Sequence, residues 1–187
     1  EVSLPSGLPA TIFTGLASGQ VICNVFSGIP GAETVTPVPL RTLSGRVTGL
    51  AAYGDSYFAG SDGGELAAAG DSRPAIAPAG HALQPLVFIA SYGGAQEYRV
   101  ALVDRTAGSL RMFRLVANQL ADVALDQAHP LGEPINAPAV DDVDGDGMPE
   151  ILFTTVSGKV GYWNDNGSLS PGWPPQVERE GFATMAG

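Results

Sequence analysis

Cysteine is almost missing from this chain. There is one, Cys23, among 187 residues, so no disulfide within the chain can hold the fold. It lies in the apolar run QVICNVF (20–26) and reads as a buried strand thiol rather than a reactive nucleophile. Histidine is nearly as scarce. His81 and His129 sit in Pro/Gly-rich connections with no catalytic partner close in sequence. Basic residues are few: nine Lys and Arg against 19 Asp and Glu, a formal charge of −10. Without a basic patch, neither nucleic acid nor an anionic membrane surface is an expected partner. No apolar run approaches the roughly 18 residues of a membrane span. No Ser/His/Asp, Cys/His or zinc-type spacing is visible. No signal peptide or lipidation motif is visible either, which leaves the compartment open.

What is abundant is punctuation. Gly (25) and Pro (15) exceed a fifth of the residues, which fits many short strands joined by turns. With 44% apolar and 15% charged residues, the composition is that of one globular domain with a sizeable core. The acidity has two readings, solubility and cation binding.

Four segments align on a glycine turn between two strand-like runs: IFTGLASGQVICNVFSG (12–28), SYFAGSDGGELAAAGDS (56–72), VALVDRTAGSLRMFRLV (100–116) and EILFTTVSGKVGYWNDNG (150–167). The turn glycines are Gly19, Gly64, Gly108 and Gly158, spaced by 45, 44 and 50 residues. A period in the forties with several strands per unit predicts the blades of a β-propeller. Each unit has a lead-in strand, as in VTGLAAY (47–53), PLVFIAS (85–91) and NAPAVDDV (136–143), and a weaker fourth, as in ETVTPV (33–38) and QLADVAL (119–125). Runs such as PLVFIA and EILF are apolar at consecutive positions, which predicts strands covered on both faces. The expected fold is therefore all-β, with four-stranded antiparallel units over 1–44, 45–81, 82–132 and 133–181. Residues 111–127 also admit an amphipathic helix with Met112, Leu115, Val116, Leu120 and Val123 on one face; the repeat alignment favours strands. The first unit is short of a first strand. EVSLPS (1–6) or FATMAG (182–187) is available to supply it, and the ring is either small or a larger one completed by further chain.

The densest charge is in DDVDGDGMPEILF (141–153). Asp142, Asp144, Asp146 and Glu150 occupy positions one, three, five and nine of a loop that opens a strand. Gly147 at position six permits a sharp turn, and the Met148 carbonyl can then face inward. Carboxylates crowded this closely imply a counterion, and hard cations such as calcium want six to eight oxygens. An EF-hand needs an acid at position twelve and flanking helices; position twelve is Phe153, in a β-branched run. Asn164–Gly167 and Asp62 read as ordinary turn chemistry, and Trp163 and Trp173 as packing.

Residues 136–174, with their DVDGDG loop, following EI, SGKV turn, YWNDNGS run and GWP, resemble one FG-GAP or VCBS-type repeat of integrin-α-like propellers. The other three units match it only in turns and strands. The resemblance implies one calcium held by Asp142, Asp144, Asp146, the Met148 carbonyl and Glu150, between the first and second strands of a blade.

The function expected is a non-enzymatic calcium-binding module, extracellular, on the cell surface or periplasmic, that binds a protein or carbohydrate ligand. The alternatives are a structural subunit of a multi-chain assembly and a propeller-type lyase or hydrolase, for instance through Asp104 with Asp126.

Overall fold

The computed structural model describes residues 10–27, 32, 34–53, 56–68, 71–73, 75–92, 94–117, 119–125 and 130–171. The strands are β1 (Ala10–Gly15), β2 (Gln20–Ser27), β3 (Thr34–Thr42), β4 (Val47–Tyr53), β5 (Ser56–Ser61), β6 (Leu66–Ala68), β7 (Ser72–Arg73), β8 (Leu83–Tyr92), β9 (Ala95–Asp104), β10 (Ser109–Val116), β11 (Gln119–Val123), β12 (Ala139–Asp141), β13 (Glu150–Thr154) and β14 (Val160–Trp163). Among the described residues there is no helix. The span 111–127, which also admitted a helical pattern, carries the β10–β11 hairpin, in which Met112 pairs with Val123 and Val116 with Gln119.

These strands form four antiparallel sheets in chain order: β1–β3, β4–β7, β8–β11 and β12–β14. All four repeat glycines have positive φ: +84° at Gly19, +81° at Gly64, +61° at Gly108 and +92° at Gly158. Three close the same small turn. Gly19, Gly64 and Gly158 N–H groups donate to the carbonyls of Leu16, Ser61 and Thr155, and the left-handed glycine lets the hairpin keep its twist. The Gly108 loop is one residue longer, with Asp104 paired to Ser109.

Successive sheets pack face to face and enclose three apolar layers. Val21, Leu43, Tyr57, Ala59 and Ala67 lie between the first and second sheets. Phe58, Leu66, Leu83, Leu102 and Phe113 lie between the second and third. Ala101, Val103, Met112, Ile151, Phe153 and Trp163 lie between the third and fourth. Alternation places Val100 and Leu102 of β9 in one layer and Ala101 and Val103 in the next, because successive side chains leave a strand on opposite faces. A strand with both neighbours present therefore reads as a continuous apolar run.

Two features differ from the expected four-stranded units. Among the described residues the first and fourth sheets have three strands each. In the first sheet, the strand before the turn, β1, is also the edge. The segment EVSLPS that was available to precede it lies outside the described residues, as do FATMAG and Trp173. In the fourth sheet the outer position is a single bridge, Trp163 to Leu169. Among the described residues no strand of the fourth sheet packs broadly on the first, and the series of sheets does not close.

Candidate metal centre

The acidic loop joins β12 to β13, whose register pairs Asp141 with Glu150 and Val140 with Ile151. It is built from its own backbone. Asp142 Oδ1 accepts the Gly145 N–H at 2.8 Å, and Oδ2 accepts that of Gly147 at 3.1 Å. Asp144 Oδ1 accepts the Asp146 N–H at 3.2 Å, and Asp146 Oδ1 accepts the Met148 N–H at 2.8 Å. Such short-range carboxylate bonds are the usual chemistry of Asp in turns. Gly145 and Gly147 have φ of +79° and +85°, a conformation costly for any residue with a Cβ. The chain can thus reverse twice and bring alternate side chains to one side.

Asp142, Asp144 and Asp146 are exposed, and one oxygen from each lies within 4.8 Å of the others. Oxygens on opposite sides of a calcium ion are about 5 Å apart, twice the Ca–O distance. The three carboxylates are therefore close enough to share one hard cation. Backbone carbonyls and water would have to complete a shell of six to eight oxygens.

Glu150 is buried beside this group, close enough to feel the charges of Asp144 and Asp146. It is 1% exposed, and its Oε2 accepts the Val143 N–H at 2.7 Å. Burial pushes its carboxyl above the usual range; the Val143 N–H opposes that shift, and Asp144 and Asp146 add to it. Glu150 thus acts within the loop as an acceptor for the Val143 N–H. Met148 is half-buried against the layer between the third and fourth sheets, so its side chain anchors the loop to the core. Asp141, unremarked in the sequence, accepts the Asp142 N–H at 3.0 Å.

The other candidates resolve into structure. Cys23 is buried in β2, and Trp163 is 1% exposed against Phe153, ring centroids 4.2 Å apart. Asn164–Gly167 closes a turn by the Gly167 N–H to the Asn164 carbonyl. Asp62 binds the Arg46 N–H and guanidinium at 2.6 and 2.8 Å. Asp104 does not face a second acid among the described residues, and Asp126 lies outside them. Instead Asp104 Oδ2 meets His81 Nδ1 at 2.6 Å, while its Oδ1 accepts the N–H groups of Thr106 and Ala107. This pair was not visible in the sequence, where 23 residues separate the partners. It ties the loop ahead of β8 to the β9–β10 turn.

Fold and site together define an all-β protein of serial antiparallel sheets with one acidic hairpin loop. No protein-family model matches the chain, and no curated protein does. A solved structure similar to it is the computationally designed Ika8 protein, with a TM-score of 0.47 and 14% sequence identity. The match covers 85% of this chain and 57% of that one.

Proposed function

We propose that the chain is a calcium-stabilised β-propeller-type module of the FG-GAP kind that presents its surface to a protein or carbohydrate ligand. The observation that carries the calcium reading is the convergence of Asp142, Asp144 and Asp146 in the loop that feeds β13. An ion there would fix the register of β12 on β13 and so of the fourth sheet, where a slip of one residue would turn Ile151 and Phe153 outward. The role is structural. Millimolar calcium outside cells fills even a site of about 10⁻⁴ to 10⁻³ M, which favours an extracellular, cell-surface or periplasmic address.

Support for a binding surface comes from Tyr53 and Tyr98, 44% and 41% exposed, with rings 4.7 Å apart and Ile89 paired beside Tyr98. Exposed aromatic rings with a polar tip suit both protein and sugar contacts. Calorimetric titration with calcium, paired with thermal melts, tests the reading. One binding event and a rise in melting temperature are expected; no heat and no shift would refute it.

A second reading, a subunit of a larger assembly, is favoured by the outer face of the first sheet, uncovered among the described residues, where Ile12 and Val35 are 56% and 51% exposed. Stable oligomers by light scattering would select it over a monomeric binding module.

A further inference from the structure

We infer that Tyr53 and Tyr98 are an oxidative cross-linking site, and that a dityrosine bond formed there straps the second sheet to the third. The two residues lie 45 positions apart, on β4 and β9. Strand alternation aims both at one layer. Tyr98 leaves β9 on the face of Val100 and Leu102. Tyr53 pairs with Ser56, two places from the Ala51–Phe58 pair, and so leaves β4 on the face of Phe58. Both stand at the rim of the layer between the two sheets. Their ring centroids are 4.7 Å apart at 46°, and the Tyr53 hydroxyl donates to that of Tyr98 at 3.3 Å. Toward the start of β4 the same two sheets are clasped by backbone. The Thr48 hydroxyl donates to the Leu83 carbonyl at 2.8 Å, and a Cβ on Gly49 would stand 2.6 Å from Gln84 Cα. At the Tyr53 end the tie is side chain to side chain.

Phenols that meet at their hydroxyl ends are placed for radical coupling. A one-electron oxidant takes an electron and the hydroxyl proton from each ring, and each phenoxyl radical carries spin on the carbons ortho to oxygen. Hydroxyls in contact bring an ortho carbon of each ring within a side-chain rotation of the about 3–3.5 Å at which reacting atoms meet. A Cε–Cε bond forms, the hydrogens on those carbons leave as protons, and the two oxygens regain theirs. The net loss is two electrons and two protons. One molecule of hydrogen peroxide, acting through a haem peroxidase, accepts them and is reduced to two waters.

Exposure selects this pair among the five tyrosines. Tyr53 and Tyr98 are 44% and 41% exposed, whereas Tyr57 is 4% exposed. Tyr92 is half-buried, with the Arg99 guanidinium 4.0 Å from its ring centroid, and Tyr162 is half-buried in β14. Among the described residues no other two tyrosine rings touch. The bond would have a use. The lone Cys23 offers no disulfide within the chain, and closing a span of 45 residues restricts the unfolded chain as a disulfide does.

The test is oxidation of the whole chain with hydrogen peroxide and a haem peroxidase, followed by isolation of the monomer, mass spectrometry and dityrosine fluorescence. The wild-type monomer should become lighter by two hydrogens and fluoresce, with its Tyr53 and Tyr98 peptides joined. Its urea midpoint should rise above that of the untreated protein. Tyr53→Phe and Tyr98→Phe each keep a ring in place and should form at least about tenfold less intramolecular cross-link, with no rise in midpoint. Tyr92→Phe and Tyr162→Phe should behave as wild type. Cross-links found only between molecules, joined at other tyrosines, or undiminished in Tyr53→Phe overturn the site. A Tyr53–Tyr98 bond that leaves the midpoint unmoved overturns the strap. No product at all, under conditions that couple free tyrosine in a parallel reaction, overturns both.

Discussion

Glu150 and Val143 hold the acidic loop closed from within: the Glu150 carboxylate, 1% exposed, takes the Val143 N–H at 2.7 Å. The three aspartates that crowd the loop lie outside this contact, exposed to solvent. Two kinds of carboxylate therefore share one hairpin. All of them accept loop N–H groups, but Glu150 does so from the buried side, while the exposed aspartates also gather negative charge that a cation would relieve.

That division predicts different effects of two neutral substitutions. Asp144→Asn removes one of three converging charges and should weaken calcium binding at least tenfold, about 1.4 kcal/mol. Glu150→Gln keeps an acceptor for Val143 and should weaken it less. In the calcium-free protein, Glu150→Gln should be neutral or stabilising, because it removes a buried charge. Calorimetry on both variants decides the matter. An equal or larger loss with Glu150→Gln would make Glu150 a principal ligand.

Two glycines should fail for different reasons. At Gly60 an added Cβ would lie 2.5 Å from the Leu83 carbonyl oxygen, a backbone atom of the next sheet. Gly60→Ala should therefore cost about 1–3 kcal/mol by overpacking, seen in urea melts with or without calcium. At Gly147 the space is open but φ is +85°, so Gly147→Ala should cost about 1 kcal/mol of backbone strain. Beside that loss in urea melts, Gly147→Ala should also weaken calcium binding, which Gly60→Ala should not.

The repeat was legible because its cause is local. A glycine with positive φ is needed at each turn, and Gly19, Gly64, Gly108 and Gly158 stand where the turns fall. Double cover was legible in PLVFIA as far as Phe88, with Leu86 and Phe88 in one layer and Val87 in the other, whereas Ile89 of the same run is exposed. The acidic loop was legible as a spacing, since alternate aspartates in a tight reversal must converge. The His81–Asp104 contact was not, because it depends on how two loops from one sheet meet. Nor was the burial of Glu150 beside exposed aspartates. Position nine of the loop is also the first residue of β13, and the pleat of that strand decides which way the side chain goes. Nor was the three-strand width of the two end sheets among the described residues.

Acid should weaken the protein through two surface pairs. Lys159 Nζ reaches Glu133 at 2.5 Å. Hydrogen bonds from Lys159, Ser157 and Thr155 hold the Glu133 carboxyl below its usual value. Arg46 does the same to Asp62. For a carboxylate with a depressed folded pKa, the stabilisation is present above the unfolded pKa and lost as pH falls through the folded one. Melting temperature should therefore drop from mildly acid conditions downward. In Glu133→Gln that drop should be shallower from a lower starting point. An unchanged slope would mean that this pair contributes nothing to folding.

Trp163 offers the sharpest probe of the packing behind the metal loop. It is buried against Phe153 and lies in the layer that also holds Ile151, the residue after Glu150. Its indole N–H finds no acceptor among the described residues. Trp163→Phe keeps a ring in the layer and removes an unpaired buried donor, two changes of opposite sign, so its net effect should stay within about 1.5 kcal/mol. Trp163→Ala empties the site and should cost about 3–5 kcal/mol. Because Trp163 pairs directly with Ile151 across β13 and β14, the alanine variant should also loosen the strand that anchors the loop. Its calcium affinity should fall although no loop residue has changed. Urea melts with and without calcium, run on both variants, measure the two effects separately. A Trp163→Ala protein that loses stability but binds calcium as tightly as wild type would show that the loop organises itself without the sheet behind it.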